Sequence, residues 1–204
     1  MRVAIASSFH PAFKEIKKLY DSTHENQMDL IIASSGQIVN QVIHGAPFDV
    51  FVSADEKYYT KIKDKLPIKR EYLKGLLALA SNDSIKNTDS LLENKFLPIA
   101  LPNSKVAPYG VLAENFLKGK MLKINMIKGE SVSHVNQFLT SGSVAAALTS
   151  YSSVKNTNFN RVVFDEYFLT NYLFVAENDK SKDLIVFLQS EEVVNILFNY
   201  GFKK

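Results

Sequence analysis

The chain alternates short strand-like runs with amphipathic helical runs from one end to the other. Apolar runs of strand length occur at 2–6, 28–33, 49–53, 76–81, 98–101, 124–127, 145–148, 162–164 and 172–177. Strands that alternate with helix-length segments are typical of βαβ units, in which a helix returns the chain to a parallel neighbouring strand. The pattern therefore predicts an α/β fold with a mostly parallel sheet.

The segments between the strands carry apolar side chains at helical spacing. After Pro11, which suits the first turn of a helix, one face is formed by Ala12, Phe13, Ile16, Leu19 and Tyr20. A second stripe precedes Gly45, a residue type that commonly ends helices, and consists of Ile38, Val39, Val42 and Ile43. Two further helices are predicted to begin near Pro108 and Val132, each after a strand.

Two long apolar segments, 71–80 and 170–176, lie far apart in the sequence. We expect them to pair as strands that cross between two lobes. One lobe is predicted to contain residues 1–78 and 172–204 and the other residues 79–171, with hinge strands near 75–81 and 170–177. Each lobe would be a mostly parallel sheet flanked by helices.

The composition excludes several classes of function. Cysteine is absent, so disulfides, thiolate metal sites and a cysteine nucleophile are excluded. The net charge of +3 comes from lysines mixed with acids, so we expect no nucleic-acid partner. The residues His10, His44 and His134 lack metal-ligand spacing. No G-x-S-x-G, P-loop or G-x-G-x-x-G motif indicates an enzyme, and no cofactor is expected.

The sequence contains no apolar run of about 18 residues, so we expect no membrane span. Residues 1–9 read as a strand of the fold, which leaves no room for a signal peptide. Either the protein is cytoplasmic, or a leader was removed and Met1 stands in its place. A chain of 204 residues suits one domain or two small lobes, and we expect a monomer.

Four strand-to-helix turns place hydroxyl or backbone N–H groups at the start of a helix. They are Ser7-Ser8, Ser34-Ser35, Pro108-Tyr109-Gly110 and Glu130-Ser131-Val132. A helix N-terminus offers unsatisfied N–H donors and about half a positive charge from the macrodipole. A single serine at such a position is more often an N-cap than a ligand contact. Four matching turns together predict a pocket that holds a tetrahedral oxyanion without Lys or Arg.

Glu130 is the one carboxylate within these turns. Hydrogen phosphate carries a proton that needs an acceptor, and an unmatched donor in a dry site costs about 1–3 kcal/mol. A pocket made of donors therefore favours the fully ionised anions molybdate, tungstate and sulfate over phosphate. The donor pattern does not separate these three anions from each other.

The chain also resembles a known family over nearly its whole length. Segment 34–57, with its serine turn, Gly-Ala-Pro, hydrophobic strand and Ser-Ala-Asp, is similar to the signature of the molybdate-binding proteins that serve ABC importers. Segments 6–9, 108–110 and 129–132 resemble that family's other ligand turns, and 200–202 resembles its C-terminal sequence. The resemblance implies the two-lobed fold of the periplasmic binding proteins, with the ligand cleft between the lobes.

The resemblance also implies the ligand contacts. Ser8 and Ser35 would each donate a hydroxyl and a backbone N–H, whereas Tyr109 and Val132 would donate a backbone N–H only. Ser8 and Ser35 would thus contact the oxygen atoms of molybdate and not the metal atom itself.

A fifth contact is less well defined by the resemblance. The family often adds a tyrosine hydroxyl from the turn after the fourth helix, and this chain has Ser150 at that place with Tyr151 one residue later. We expect Ser150 to occupy the position, with Tyr151 or Tyr167 as substitutes.

The implied function is that of a periplasmic or extracytoplasmic binding protein whose export signal is absent from this sequence. It would bind molybdate, and also tungstate, as cargo and deliver the anion to the membrane permease subunits of an ABC importer. Two alternatives stay open, namely a cytoplasmic oxyanion-sensing regulatory domain of the same fold, and sulfate as the ligand.

Overall fold

The computed structural model describes residues 1–82, 92, 98–120 and 125–204. The strands are β1 (Arg2–Ala6), β2 (Asp29–Ala33), β3 (Val50–Ser53), β4 (Ile68–Ser81), β5 (Pro98–Pro102), β6 (Asn125–Gly129), β7 (Ala146–Ser150) and β8 (Asn160–Val175). A 3-10 turn, Ser7–Phe9, precedes the first helix. The helices are α1 (His10–Thr23), α2 (Ser35–Ile43), α3 (Tyr59–Ile62), α4 (Pro108–Gly119), α5 (Val132–Thr140), α6 (Tyr151–Val154), α7 (Asp179–Leu188) and α8 (Glu191–Asn199).

These strands form one eight-stranded sheet in the order β2-β1-β3-β8-β4-β7-β5-β6. We call β2, β1 and β3 with helices α1 to α3 the first half, and β7, β5 and β6 with helices α4 to α6 the second half. Strand pairing is parallel within each half, as predicted. The α/β prediction is confirmed, and the central strands β4 and β8 add antiparallel pairs that make the sheet mixed.

Strands β4 and β8 are much longer than the sequence pattern predicted. β4 has 14 residues and β8 has 16, and they pair with each other over most of that length. The predicted short strands 76–81, 162–164 and 172–177 were wrong in extent, because 162–164 and 172–175 belong to one continuous strand. The paired strands shift register between Glu71 and Lys74 and again between Leu76 and Leu77. The lobe boundaries at 78 and 172 stay a prediction.

The predicted helical stripes lie against the sheet with one exception. In α1 the residues Ala12, Phe13, Ile16 and Tyr20 are buried, and Leu19 packs at the edge of the same cluster. In α2 the residues Ile38, Val39 and Val42 are buried, but Ile43 is 47% exposed because it is the last residue before the helix ends. Gly45 follows with φ at +95°, a conformation that favours glycine. Of the predicted strand 124–127, position 124 lies outside the described residues.

Within each half the parallel strands direct their carboxyl ends to one edge, and helices begin beyond that edge. The 3-10 turn follows β1, α2 follows β2, α4 begins six residues after β5, and α5 follows β6. The antiparallel pairs of β4 and β8 set the strands of the two halves in opposite directions, and the starts from both halves line one cavity. Within the described ranges, no helix combines the length and the apolar character that crossing a membrane requires.

Candidate functional site

Ser8 lies in the 3-10 turn that follows β1, where the chain leaves the sheet and turns toward α1. Its side chain is 1% exposed, and its Oγ has no hydrogen-bond partner among the described residues. A buried hydroxyl without a partner costs about 1–3 kcal/mol. A ligand that accepts a hydrogen bond from Ser8 would recover that free energy.

In the second serine turn, Ser34 caps α2 and Ser35 begins that helix. Ser34 caps α2 through a capping box: its side chain accepts from the backbone N–H of Gln37, while its own backbone N–H and hydroxyl donate to Oε1 of Gln37, at 3.0 and 2.8 Å. Ser35 is the first residue of α2, so its backbone N–H has no partner within the helix. The Ser35 hydroxyl oxygen accepts a hydrogen bond from the N–H of Ala54 at 3.2 Å. The hydroxyl hydrogen of Ser35 is thereby directed to another acceptor.

The Ser-Ala-Asp segment after β3 supports this arrangement. The Ser53 hydroxyl donates to the carbonyl of Asp55 at 2.8 Å, and the Asp55 carboxylate accepts from the N–H of Lys57 at 2.9 Å. These bonds hold the tight turn that presents the Ala54 N–H to Ser35. The Asp55 side chain therefore stabilises the turn, and the following helix begins at Tyr59.

The second half contributes the first turns of α4 and α5. Tyr109 is the second residue of α4, after Pro108, so its backbone N–H belongs to the unsatisfied first turn. Ser131 caps α5 by accepting from the N–H of His134 at 3.2 Å. Val132 is the first residue of that helix and is buried.

The Tyr109 side chain points away from the turn and into the protein. Its hydroxyl lies beside Gly75 of β4, where it would clash with any added Cβ, and near Asn171 of β8. Burial raises the pKa of the Tyr109 hydroxyl, which therefore stays protonated at neutral pH.

These turns enclose one cavity of about 10 Å³ between the two halves. It brings together the predicted contacts Ser8, Ser35, Tyr109 and Val132. No charged side chain is among the described residues that line it, which are Ala6, Ser7, Ser8, Ser34, Ser35, Ala54, Ala107, Pro108, Tyr109 and Val132. Glu130 lies outside the cavity, exposed, and its carboxylate accepts from the Asn103 amide at 3.4 Å.

The candidates for a fifth contact do not line this cavity. The Ser150 hydroxyl is buried and accepts from the Ser152 hydroxyl at 3.3 Å. Tyr151 packs its ring against Gly201, at the start of the C-terminal segment. Tyr167 packs edge-on against Phe116 of α4, with ring centres 5.1 Å apart.

Sequence reasoning did not identify Ser152. Its hydroxyl donates to the backbone carbonyl of Ser8 at 2.9 Å and so joins α6 to the first serine turn across the two halves. The signal available was weak, since Ser152 is one of several serines in 150–153. The role of the Ala54 N–H was also missed, because no distinctive side chain marks it in the sequence.

Known proteins share this arrangement of elements. The chain is 26% identical over 220 residues to the molybdate-binding protein ModA of Rhodobacter capsulatus, an alignment that covers 98% of this chain and 86% of the relative. Its structure matches the periplasmic molybdate-binding protein of Azotobacter vinelandii with a TM-score of 0.88 at 19% identity, covering 100% of this chain and 99% of the other.

A further structural match is the tungstate ABC transporter structure from Geobacter sulfurreducens, with a TM-score of 0.73 at 13% identity and 98% of each chain covered. These structural matches establish the fold of a periplasmic binding protein. The family model described as bacterial extracellular solute-binding protein matches residues 1–203. The chain belongs to the bacterial extracellular solute-binding proteins.

Proposed function

We propose that this protein captures a tetrahedral oxyanion, molybdate or tungstate, between its two halves and delivers it to the permease of an ABC importer. The observation that carries the proposal is the buried Ser8 hydroxyl, which has no partner in the described part of the chain and lies in a cavity lined by four turn or helix starts. Relatives named for molybdate binding and a structural neighbour named for tungstate transport support this choice of anion.

The electrostatics of the cavity suit an anion of this kind. The first turns of α2, α4 and α5 and the 3-10 turn present N–H groups, and the macrodipoles of the helices add partial positive charge. Hydrogen bonds from neutral donors to an ionised acceptor are about twice as strong as those between neutral groups. The donors can thus offset the desolvation of the anion with no Lys or Arg on the described cavity wall.

The size and the acceptor content of the cavity narrow the ligand class. A volume of about 10 Å³ is close to the minimum for a single water molecule, so it argues against an organic solute. No carboxylate is among the described lining residues, so the proton of hydrogen phosphate would find no ionised acceptor there. Sulfate has the same charge and shape as molybdate and remains the competitor that an experiment must test.

Closure of the two halves around the anion is the accompanying conformational change. We propose lobes of residues 1–78 with 172–204 and of residues 79–171, which move by bending of β4 and β8 near 75–81 and 170–177. The register shifts on either side of Gly75 support a bend there, because they interrupt the regular ladder of backbone hydrogen bonds. An anion that contacts both halves stabilises the closed form through its higher affinity for that form.

The protein would act outside the cytoplasm as a monomer and as a carrier, with the oxyanion as cargo and no chemical step. A monomer suffices because both walls of the cavity come from one chain. The permease subunits of the importer are the partner in this scheme. Membership of the extracellular solute-binding proteins and the similarity to a periplasmic molybdate-binding protein support the extracytoplasmic placement.

Calorimetric titration with molybdate, tungstate, sulfate and phosphate tests the proposal. We expect saturable binding of molybdate and tungstate with similar affinities, and much weaker binding of phosphate. Failure to bind either molybdate or tungstate would contradict the proposed function. Tight binding of sulfate with weak binding of molybdate would reassign the cargo to sulfate.

A further inference from the structure

We propose that the backbone N–H of Gly36 and the backbone carbonyl of Val106 form a latch that holds the two halves closed over the oxyanion cavity. This inference rests on the proposed function, because it assigns a role in ligand retention. Gly36 is the second residue of α2 in the first half, and Val106 lies in the segment 103–107 between β5 and α4 in the second half.

The contact between these two residues is direct and leaves no spare room. The Gly36 N–H donates to the Val106 carbonyl at 2.9 Å. A Cβ added to Gly36 would lie 2.7 Å from that carbonyl oxygen and 3.0 Å from the Cα of Val106. Both neighbours are backbone atoms that no side-chain rotation can move. Glycine at this position therefore allows the two halves to approach as closely as they do.

The donor of the latch is the Gly36 N–H. In an anion site at a helix start, an N–H group at this position would donate to the anion. Gly36 follows Ser35 in the first turn of α2, where N–H groups have no partner within the helix. In this structure the protein's own carbonyl accepts from it, one residue away from the proposed ligand contact. Closing the cleft and coordinating the anion thus draw on neighbouring donors of the same helix start.

The segment that carries the Val106 carbonyl is held in place from several directions. The N–H groups of Val106 and Ala107 both donate to the carbonyl of Asn103, at 3.1 and 2.9 Å. The Asn103 N–H donates to the carbonyl of Gly129 at 2.7 Å, and the Ser104 hydroxyl donates to Glu114 at 2.7 Å. The carbonyl is therefore presented by a turn that is ordered within the second half alone.

Two side-chain contacts reinforce the closed arrangement. The Tyr58 hydroxyl, from the first half, lies 3.5 Å from the same Val106 carbonyl. The Ser152 hydroxyl, from the second half, donates to the Ser8 carbonyl at 2.9 Å. Ser8 and Ser35 are thus each adjacent to a hydrogen bond that spans the two halves, so the latch acts at the edge of the cavity itself.

The variant Gly36→Ala tests the latch by its effect on molybdate dissociation. We expect dissociation, followed by stopped flow with excess tungstate as competitor, to become at least about tenfold faster, because the variant loses a hydrogen bond and introduces a backbone clash in the closed form. Association should change little, since the anion first meets the open form. Gly119→Ala is the matched control: it lies at the exposed end of α4, where a Cβ would approach only the movable Tyr167 hydroxyl.

An NMR measurement on the unmodified protein tests whether the hydrogen bond between Gly36 and Val106 exists. We expect a through-hydrogen-bond scalar coupling between the Gly36 amide nitrogen and the Val106 carbonyl carbon in the molybdate-bound protein. Absence of this coupling both with and without molybdate, or dissociation from Gly36→Ala within twofold of the control, overturns the latch. If the unmodified protein binds no oxyanion, the proposed function fails, and the coupling in the protein alone still decides whether the latch exists.

Discussion

Replacement of Ser8 by alanine tests whether the Ser8 hydroxyl binds the ligand or stabilises the fold. In the structure the Ser8 hydroxyl is buried and has no partner among the described residues, so its removal breaks no protein hydrogen bond that the structure shows. Removing an unpaired buried hydroxyl leaves folding stability unchanged or raises it. A folded Ser8→Ala protein with an unchanged or higher unfolding temperature is therefore expected.

The loss of molybdate affinity in Ser8→Ala can be estimated from the hydrogen bond that the Ser8 hydroxyl would donate to the anion. A hydrogen bond to a charged group contributes about 1.5–3 kcal/mol, which corresponds to an affinity about 10- to 150-fold weaker for molybdate. Calorimetric titration gives the affinity, and thermal unfolding without the anion gives the stability. Ser22→Ala is the control, because the Ser22 hydroxyl is exposed and bonds the Leu19 carbonyl on α1, away from the cavity. Wild-type affinity in Ser8→Ala, or a marked loss of stability, would refute the assignment.

Three further predictions follow from the same geometry. Ser35→Ala should weaken binding and also lower the unfolding free energy by about 1–3 kcal/mol, because it leaves the buried Ala54 N–H without its acceptor; thermal unfolding of the anion-free variant checks this. Molybdate affinity should change less than about twofold between pH 6.5 and 9. Tyr109 is the one residue with an ionisable side chain among the described residues that line the cavity, and burial raises the pKa of its hydroxyl. Calorimetric titrations across that pH range measure the affinity. The hydrogen bond from Lys128 holds the pKa of Glu114 below its ordinary value of 4.5, so Glu114 contributes stability above that pH and loses it as the pH falls through the lowered pKa. Glu114→Gln should therefore flatten the acid limb of the unfolding temperature against pH, and an unchanged limb would contradict the pairing.

The parts of the fold that the sequence predicted well are those in which apolar pattern and burial coincide. Strand β1 matches its predicted bounds of 2–6, and α2 ends just before Gly45 as expected. Strands β4 and β8 were underestimated because polar residues such as Lys69 and Arg70 interrupt the apolar pattern. Those side chains face solvent while their backbones still pair with the neighbouring strand, and single-sequence patterns do not report that pairing.

The candidate site likewise contains residues that the sequence predicted and contacts that it did not. Ser8, Ser35, Tyr109 and Val132 could be placed together because each lies in a turn between a strand and a helix, and because the resemblance assigns those four turns to one ligand. The side-chain direction of Tyr151 was not predictable, since it depends on packing against Gly201, 50 positions along the chain. The Ala54 N–H and the Val106 carbonyl are backbone groups that every residue carries, so no sequence signal could mark them.

Crystals grown with molybdate and measured at the molybdenum absorption edge test the central claim most directly. We expect one anomalous peak in the cavity between the two halves, with anion oxygens about 2.7–3.1 Å from the Ser8 and Ser35 hydroxyls and from the N–H groups of Tyr109 and Val132. A molybdenum peak elsewhere, or one whose oxygens are held by lysine or arginine side chains, would contradict it.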